Sequence, residues 1–208
     1  MNVRSAPPSP IPAEPAEFRS PPPEPLPLLS TWLDASRDKV REPGAFALAT
    51  TGADGRSSNR IVQLNSLTAE GLVFTSHRDS RKGRDLSVVP WASAVFYWRE
   101  VGRQILVAGP VERMTGDESD ALWAARPVAT HAMSVASHQS DPLDDAGVLR
   151  AEARRLAELG PLPRPESFVG YRLTARTTEF WESSPDRLHR RLRYDLEGGT
   201  WSARRLQP

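Results

Sequence analysis

The chain has 208 residues, with 27 lysines and arginines against 26 aspartates and glutamates, a net charge of +1 that gives no basic field for nucleic acid. It has no cysteine, which removes disulfides, thiolate catalysis, iron–sulfur clusters and zinc–thiolate sites together. No apolar run approaches a membrane span and the start lacks a hydrophobic signal stretch, so a cytoplasmic protein acting on neither membrane nor nucleic acid is expected.

Of the 20 prolines, ten lie between Pro7 and Pro27. Clustered proline with few apolar residues cannot offset the entropy of ordering. Residues 1–27 therefore read as a disordered or polyproline-II arm, and residues 28–208 as one domain. Leu29, Trp32, Leu33, Ser36 and Val40 fall at helical spacing, and Pro43-Gly44 closes that helix. The next hundred residues read as short strands. Ala45–Thr51 leads through a Gly52-Ala-Asp-Gly55 turn to Asn59–Ser66, and Thr68–Gly71 turns into Leu72–Ser76. Ala92–Trp98 and Arg103–Met114 follow. Thr115-Gly-Asp-Glu118 is a capping box opening a helix over 117–125, and Asp144–Leu159 has helix-forming composition. Phe168–Trp181, Arg187–Leu196 and Thr200–Leu206 read as closing strands, the last two joined at Glu197-Gly-Gly199. The fold class expected is α+β, a β-barrel with peripheral helices.

Familiar catalytic motifs are missing. The chain has no G-x-G-x-x-G, no Walker loop, no G-x-S-x-G and no H-E-x-x-H, and its four histidines lack metal-ligand spacing, so no metal is expected.

Two basic segments stand out. Ser80-Arg81-Lys82 opens a short helix, where positive charge opposes the macrodipole. An anion held by the hydroxyl, the backbone N–H groups and the cations explains that placement; a solvated basic turn is the alternative. In Arg187-Leu-His-Arg-Arg-Leu-Arg193, strand alternation places Arg187, His189, Arg191 and Arg193 on one face. Such a face needs an anionic ligand or paired carboxylates, unless it is simply a basic edge strand that resists aggregation. Arg60, Gln104, Gln139-Ser140 and Trp181 add weaker signals for a polyanionic ligand with a planar aromatic part, a description that flavin mononucleotide (FMN) meets.

Arg60-Ile-Val-Gln-Leu-Asn65, Phe74-Thr-Ser76, Ser80-Arg-Lys82, Arg103-Gln104, Ala125-Arg-Pro127, His138-Gln-Ser140, Glu179-Phe-Trp181 and Arg187-Leu-His189-x-Arg191 stand in an order that resembles the pyridoxamine 5′-phosphate oxidase family. The likeness runs from about Leu28 to Pro208. It implies an FMN-binding split β-barrel and a homodimer with FMN at the subunit interface. By positional match the flavin contacts are Arg60, Ile61, Val62, Gln63, Leu64, Asn65, Thr75, Ser76, Arg81, Lys82, Gln104, Gln139, Ser140, Trp181 and Arg191.

Vitamin B6 enzymes of this family grip the substrate phosphate with a Lys, a Tyr, an Arg and a Ser. The matching positions here are Asn65, Leu122, Arg126 and Thr130, so a cation and a phenol are replaced. Trp91-Ala-Ser93, Tyr97-Trp-Arg-Glu100, Ala129-Thr-His-Ala-Met133, Gly160-Pro-Leu-Pro-Arg-Pro165 and Leu192-Arg-Tyr-Asp195 instead resemble the FMN-dependent oxidases of phenazine biosynthesis. That likeness implies oxidation of a reduced, carboxylated tricycle with O2 as acceptor and H2O2 as product. Arg187 and His189 would position or polarise the substrate, with His189 a candidate proton acceptor. Oxidation of pyridoxamine or pyridoxine 5′-phosphate is the alternative, and a flavin-binding module without turnover is the reading from another class.

Overall fold

The computed structural model describes residues 13–208. Nine strands form one sheet in the order β4-β1-β2-β3-β6-β5-β7-β8-β9, and an additional β4–β5 pairing closes β4, β1, β2, β3, β6 and β5 into a barrel. The strands are β1 (Ala45–Thr51), β2 (Ser57–Leu67), β3 (Leu72–His77), β4 (Trp91–Trp98), β5 (Arg103–Arg113), β6 (Phe168–Leu173), β7 (Thr177–Glu182), β8 (Arg190–Glu197) and β9 (Thr200–Arg205). All pairings are antiparallel. Six helices lie outside the barrel: α1 (Ala16–Arg19), α2 (Pro25–Ser36), α3 (Arg81–Val88), α4 (Gly116–Ala124), α5 (His131–Ala136) and α6 (Ala146–Ala157). The α+β barrel read from the sequence is therefore the fold.

Period-two alternation builds the core. Phe46 and Leu48 of β1, Phe74 of β3, Phe96 of β4, Ile105 and Val107 of β5 and Phe180 of β7 are at most 1% exposed. The capping box at Thr115 and Glu118 is present with both of its hydrogen bonds.

The expected single strand over 168–181 is two strands, because β5 changes partners midway. Up to Ala108 it pairs with β7, and from Val111 with β6. At that crossing a Cβ on Gly109 would lie 1.9 Å from the Thr174 carbonyl oxygen, so only glycine lets the two backbones approach. Strand β6 leaves at Leu173, and Thr174–Arg176 carries the chain across to β7.

The reading of residues 1–27 as a disordered arm needs correction. Its first twelve positions lie outside the described residues, but residues 13–27 pack on the barrel. Phe18 is 1% exposed and lies against Trp32, whose Nε1 donates to Glu17 at 2.9 Å. The Tyr194 hydroxyl donates to the Pro22 carbonyl at 3.0 Å, and Arg205 pairs with Glu14. Proline at the N1/N2 positions also starts α2 at Pro25, earlier than the apolar spacing indicated. One aromatic anchor thus offsets the ordering of a proline-rich strap. Phe18→Ala is expected to cost about 3–5 kcal/mol, a fall of roughly 10 °C in Tm by differential scanning fluorimetry. A change under about 2 °C would restore the disordered-arm reading.

Candidate active site

A trough of about 740 Å³, within the range of small-molecule sites, runs along β2 and β3 to the start of α3. Of the residues expected to contact flavin, Arg60, Ile61, Val62, Gln63, Asn65, Thr75, Ser76, Arg81, Lys82, Gln139 and Ser140 line it, and so does Arg126. Leu64 instead packs against the core.

The start of α3 sets the cationic end. Ser80 caps the helix, accepting from the Gly83 N–H, and a Cβ on Gly83 would lie 2.2 Å from the Arg78 carbonyl oxygen. The absent side chain seats the first turn directly against the end of β3. Lys82 is consequently 7% exposed, and its Nζ donates to Ser76 Oγ (2.9 Å), Ser80 Oγ (3.3 Å) and Gln139 Oε1 (2.9 Å). All three partners are neutral, and no carboxylate among the described residues lies within ion-pair distance. Burial, reinforced by the Arg60 charge, pushes the Lys82 ammonium down to about 8. Ser140 Oγ accepts the Arg81 backbone N–H at 3.1 Å, tying the 139–140 loop to the helix start.

Arg60 is held from behind. Its guanidinium donates to the Leu48 carbonyl (3.1 Å), Thr50 Oγ1 (2.7 Å) and Ser58 Oγ, and Asp85 Oδ2 lies 3.7 Å away. Burial works against the Asp85 charge, but hydrogen bonds from Thr50 and Ser58, with the Arg60 and Arg81 charges, outweigh it and hold the carboxyl below its ordinary value. Burial likewise lowers Arg60, with Asp85 opposing. This support was missed in the sequence. Its only local signal is the four-residue spacing of Arg81 and Asp85 on one helix face.

At the other end, the Arg126 guanidinium lies over the Phe168 ring at 4.8 Å and the Trp123 ring at 5.3 Å, with no carboxylate partner among the described residues. Burial lowers it too. Leu122 and Thr130, expected at the substrate, do not line the trough. Leu122 packs over Gly170, and the Thr130 hydroxyl donates to the Pro127 carbonyl at 2.8 Å.

Gln104, Trp181, Arg191, Arg187 and His189 form a second group. Gln104, Trp181 and Arg191 are direct cross-strand neighbours on β5, β7 and β8. Between β2 and β7 lie four strand steps, about 19 Å along a surface that curves round the barrel, so the two groups do not meet in one chain.

The shared face expected for Arg187, His189, Arg191 and Arg193 is also corrected. β8 begins only at Arg190, and Arg187 sits in the loop before it with φ +66°. The strand arginines meet carboxylates: Arg190 with Glu182 (2.9 Å), Arg191 with Glu179 (2.7 Å) and Arg193 with Asp195 (2.9 Å). Arg187, an exposed non-glycine residue in the left-handed region, has no such partner among the described residues, and its backbone carries the kind of strain found at ligand sites. His189 Nδ1 accepts the Ser184 N–H at 3.1 Å, and its ring lies 4.9 Å from that of Trp181.

Residues 33–160 match a family model described as pyridoxamine 5′-phosphate oxidase, and residues 168–208 match its partner, the pyridoxine 5′-phosphate oxidase C-terminal dimerisation region. The dihydrophenazinedicarboxylate synthase of Burkholderia lata is 50% identical over 194 residues, 92% of each chain. The pyridoxine/pyridoxamine 5′-phosphate oxidase of Burkholderia multivorans is 40% identical over 192 residues, 89% of this chain and 90% of that one. Among solved structures, PhzG from Burkholderia lata 383 in complex with tetrahydrophenazine-1-carboxylic acid superposes with a TM-score of 0.92 at 48% identity, covering 94% of this chain and 98% of that one.

Proposed function

The chain belongs to the pyridoxamine 5′-phosphate oxidase family, and we propose that within it the protein is an FMN-dependent oxidase that dehydrogenates reduced, carboxylated phenazine precursors, with O2 as acceptor and H2O2 as product. Family membership makes it a flavin-dependent oxidoreductase. The observation that carries the finer reading is a pair of cations at the two ends of one trough, Lys82 among neutral partners and Arg126 on an aromatic shelf, both without carboxylates among the described residues. Lys82 is buried and Arg126 half-buried, and a desolvated cation without a counter-charge calls for an anionic ligand. A phosphate at Lys82, Arg60 and Arg81 and a carboxylate at Arg126 meet both demands, and the relatives named for phenazine synthesis favour the tricyclic acid.

The chemistry the flavin supplies when bound is hydride acceptance from the reduced tricycle and reoxidation by O2 to H2O2. The protein binds and orients. Lys82 Nζ gives its three N–H groups to Ser76, Ser80 and Gln139 and would turn one of them, the longest being that to Ser80, toward a phosphate oxygen, while Asp85, Thr50 and Ser58 fix the Arg60 guanidinium for the same task. Because His189 Nδ1 accepts a backbone N–H, the neutral ring carries its proton on Nε2. In this reading Nε2–H donates to the substrate rather than accepting a proton from it.

Two copies complete the site in this reading. The outer face of the barrel carries the row Ile61–Ala47–Val95–Leu106, and Ile61, Tyr97 and Trp91 on that face are 68%, 61% and 48% exposed. An exposed apolar face of this extent favours association, and a two-fold axis through it would carry Gln104, Trp181 and Arg191 of one copy toward the trough of the other. The dimerisation-region match supports the pairing of two copies.

Mixing the purified yellow protein with tetrahydrophenazine-1-carboxylic acid without oxygen is expected to bleach the flavin absorbance within seconds. Admitting air should restore the colour with one H2O2 formed per flavin. No bleaching by any reduced phenazine carboxylate would overturn the assignment.

A further inference from the structure

We infer that His77 is a further ligand-binding residue of the trough, which takes up a proton from solvent when an anionic group, a phosphate or a carboxylate, seats beside Lys82 or Arg126. The inference takes its ligands from the flavin reading above, but the site stands on its own geometry.

His77 closes β3, and alternation puts it on the same strand face as Thr75; both line the trough. Its cross-strand partner is Phe168, the ring that carries the Arg126 guanidinium at 4.8 Å, and its chain neighbour Ser76 accepts from Lys82 Nζ at 2.9 Å. The imidazole thus lies between the two cations described above, on residues bound to each. It is 8% exposed, and Nδ1 lies 3.0 Å from Ser167 Oγ, while Nε2 has no partner among the described residues. The Ser167 hydroxyl can donate or accept. With the hydroxyl donating, the neutral ring carries its proton on Nε2; with the hydroxyl accepting, Nδ1–H leaves the Nε2 lone pair free for a second proton.

The largest influences on the ring can be named. Burial first, then Arg126 on the α4–α5 turn and Lys82 on α3, push it below the ordinary histidine value; Asp79 opposes them, and His138 in the following loop adds a smaller lowering. Without ligand, His77 is therefore neutral near pH 7. An arriving anion cancels the repulsion from Arg126 and Lys82, so protonation becomes favourable. The imidazolium then donates Nε2–H to the same anion.

Calorimetric titrations at pH 6.5 in buffers of different ionisation enthalpy count the protons taken up. Three probes serve: inorganic phosphate and FMN with flavin-free protein, and phenazine-1-carboxylate with the flavin-loaded protein. The wild type is expected to take up roughly 0.3–0.5 proton more per site than His77→Asn, which keeps a hydrogen-bonding side chain but does not titrate. The difference removes the proton that the FMN phosphate itself exchanges near pH 6. A difference with phosphate and FMN places the anion at the Lys82 end; a difference with the carboxylate alone places it at Arg126. His77→Asn should bind the responding probe about three- to tenfold more weakly at pH 6 and equally at pH 8.5. If FMN fails to bind while phosphate still shows the difference, the flavin reading falls and this one stands. Equal proton uptake by the two proteins with all three probes, or no anion bound by the wild type, overturns it.

Discussion

The Arg81→Ala/Lys82→Ala double variant is expected to purify colourless, with FMN affinity reduced roughly 10²–10⁴-fold. Each charge-assisted hydrogen bond to a phosphate contributes about 1.5–3 kcal/mol, and 1.4 kcal/mol is tenfold in Kd. Lys82 should carry most of the loss, because Arg81 is exposed and solvent screens it. Riboflavin, which lacks the phosphate, should bind the wild type weakly and the double variant about equally weakly. Equal affinity of the wild type for riboflavin and FMN would remove the phosphate from this end of the trough.

A second variant separates lost binding from lost folding. Lys82 is a buried ammonium among neutral oxygens, so Lys82→Met, of similar shape, relieves an uncompensated charge. It should lose flavin and yet raise the Tm of the flavin-free protein. The same logic gives a pH dependence with opposite signs for the two properties. The folded-state value of about 8 lies below the ordinary 10.5, so between these the unfolded chain binds more protons. Stability of the flavin-free protein should therefore rise with pH over that interval. FMN affinity should fall over the same interval, by up to about tenfold per pH unit, as the ammonium is lost. Affinity and stability moving together would contradict the burial of the charge.

The parts of this molecule that were legible in the sequence are those written locally. Alternation gave β1, β4 and β5, and Thr115 with Glu118 announced α4, because a strand face or a cap is set within a few residues. What was not legible depends on residues far apart. Phe18 sits among prolines and gains its place only through Trp32 and the β8 side of the sheet. The break after Leu173 follows from β5 changing partners at Gly109, sixty-odd positions earlier. Asp85 supports Arg60 only because Thr50 and Ser58 are register partners across β1 and β2. At Arg187 a left-handed backbone is carried by an arginine, where the sequence offers no glycine to signal it, so the alternation argument ran through a loop. Resemblance supplied what local pattern did not: the proposal that two residue groups on separate parts of one chain serve one site.

Substrate choice gives the other large effect. The wild type is expected to prefer tetrahydrophenazine-1-carboxylic acid over pyridoxine 5′-phosphate by at least about 10²-fold in kcat/KM. A phosphate clamp built from a lysine and a tyrosine would here present Asn65, which lines the trough without a charge, and Leu122, which is packed over Gly170 and carries no donor. Two missing charge-assisted or phenolic hydrogen bonds are worth about 3 kcal/mol or more, which sets the size of the ratio. In the proposed reading the carboxylate meets Arg126, whose guanidinium lies over the Phe168 and Trp123 rings at 4.8 and 5.3 Å, an anchor preorganised for a single planar anion. Arg187→Ala should slow anaerobic flavin bleaching about 10-fold or more and leave FMN bound, since Arg187 lies outside the trough and away from Lys82. Asn65→Lys with Leu122→Tyr should move the ratio toward pyridoxine 5′-phosphate by about tenfold, limited because Leu122 must first leave its seat on Gly170. A wild-type ratio favouring pyridoxine 5′-phosphate would show that Arg126 alone suffices to hold a phosphate, and the vitamin B6 reading would replace the phenazine one.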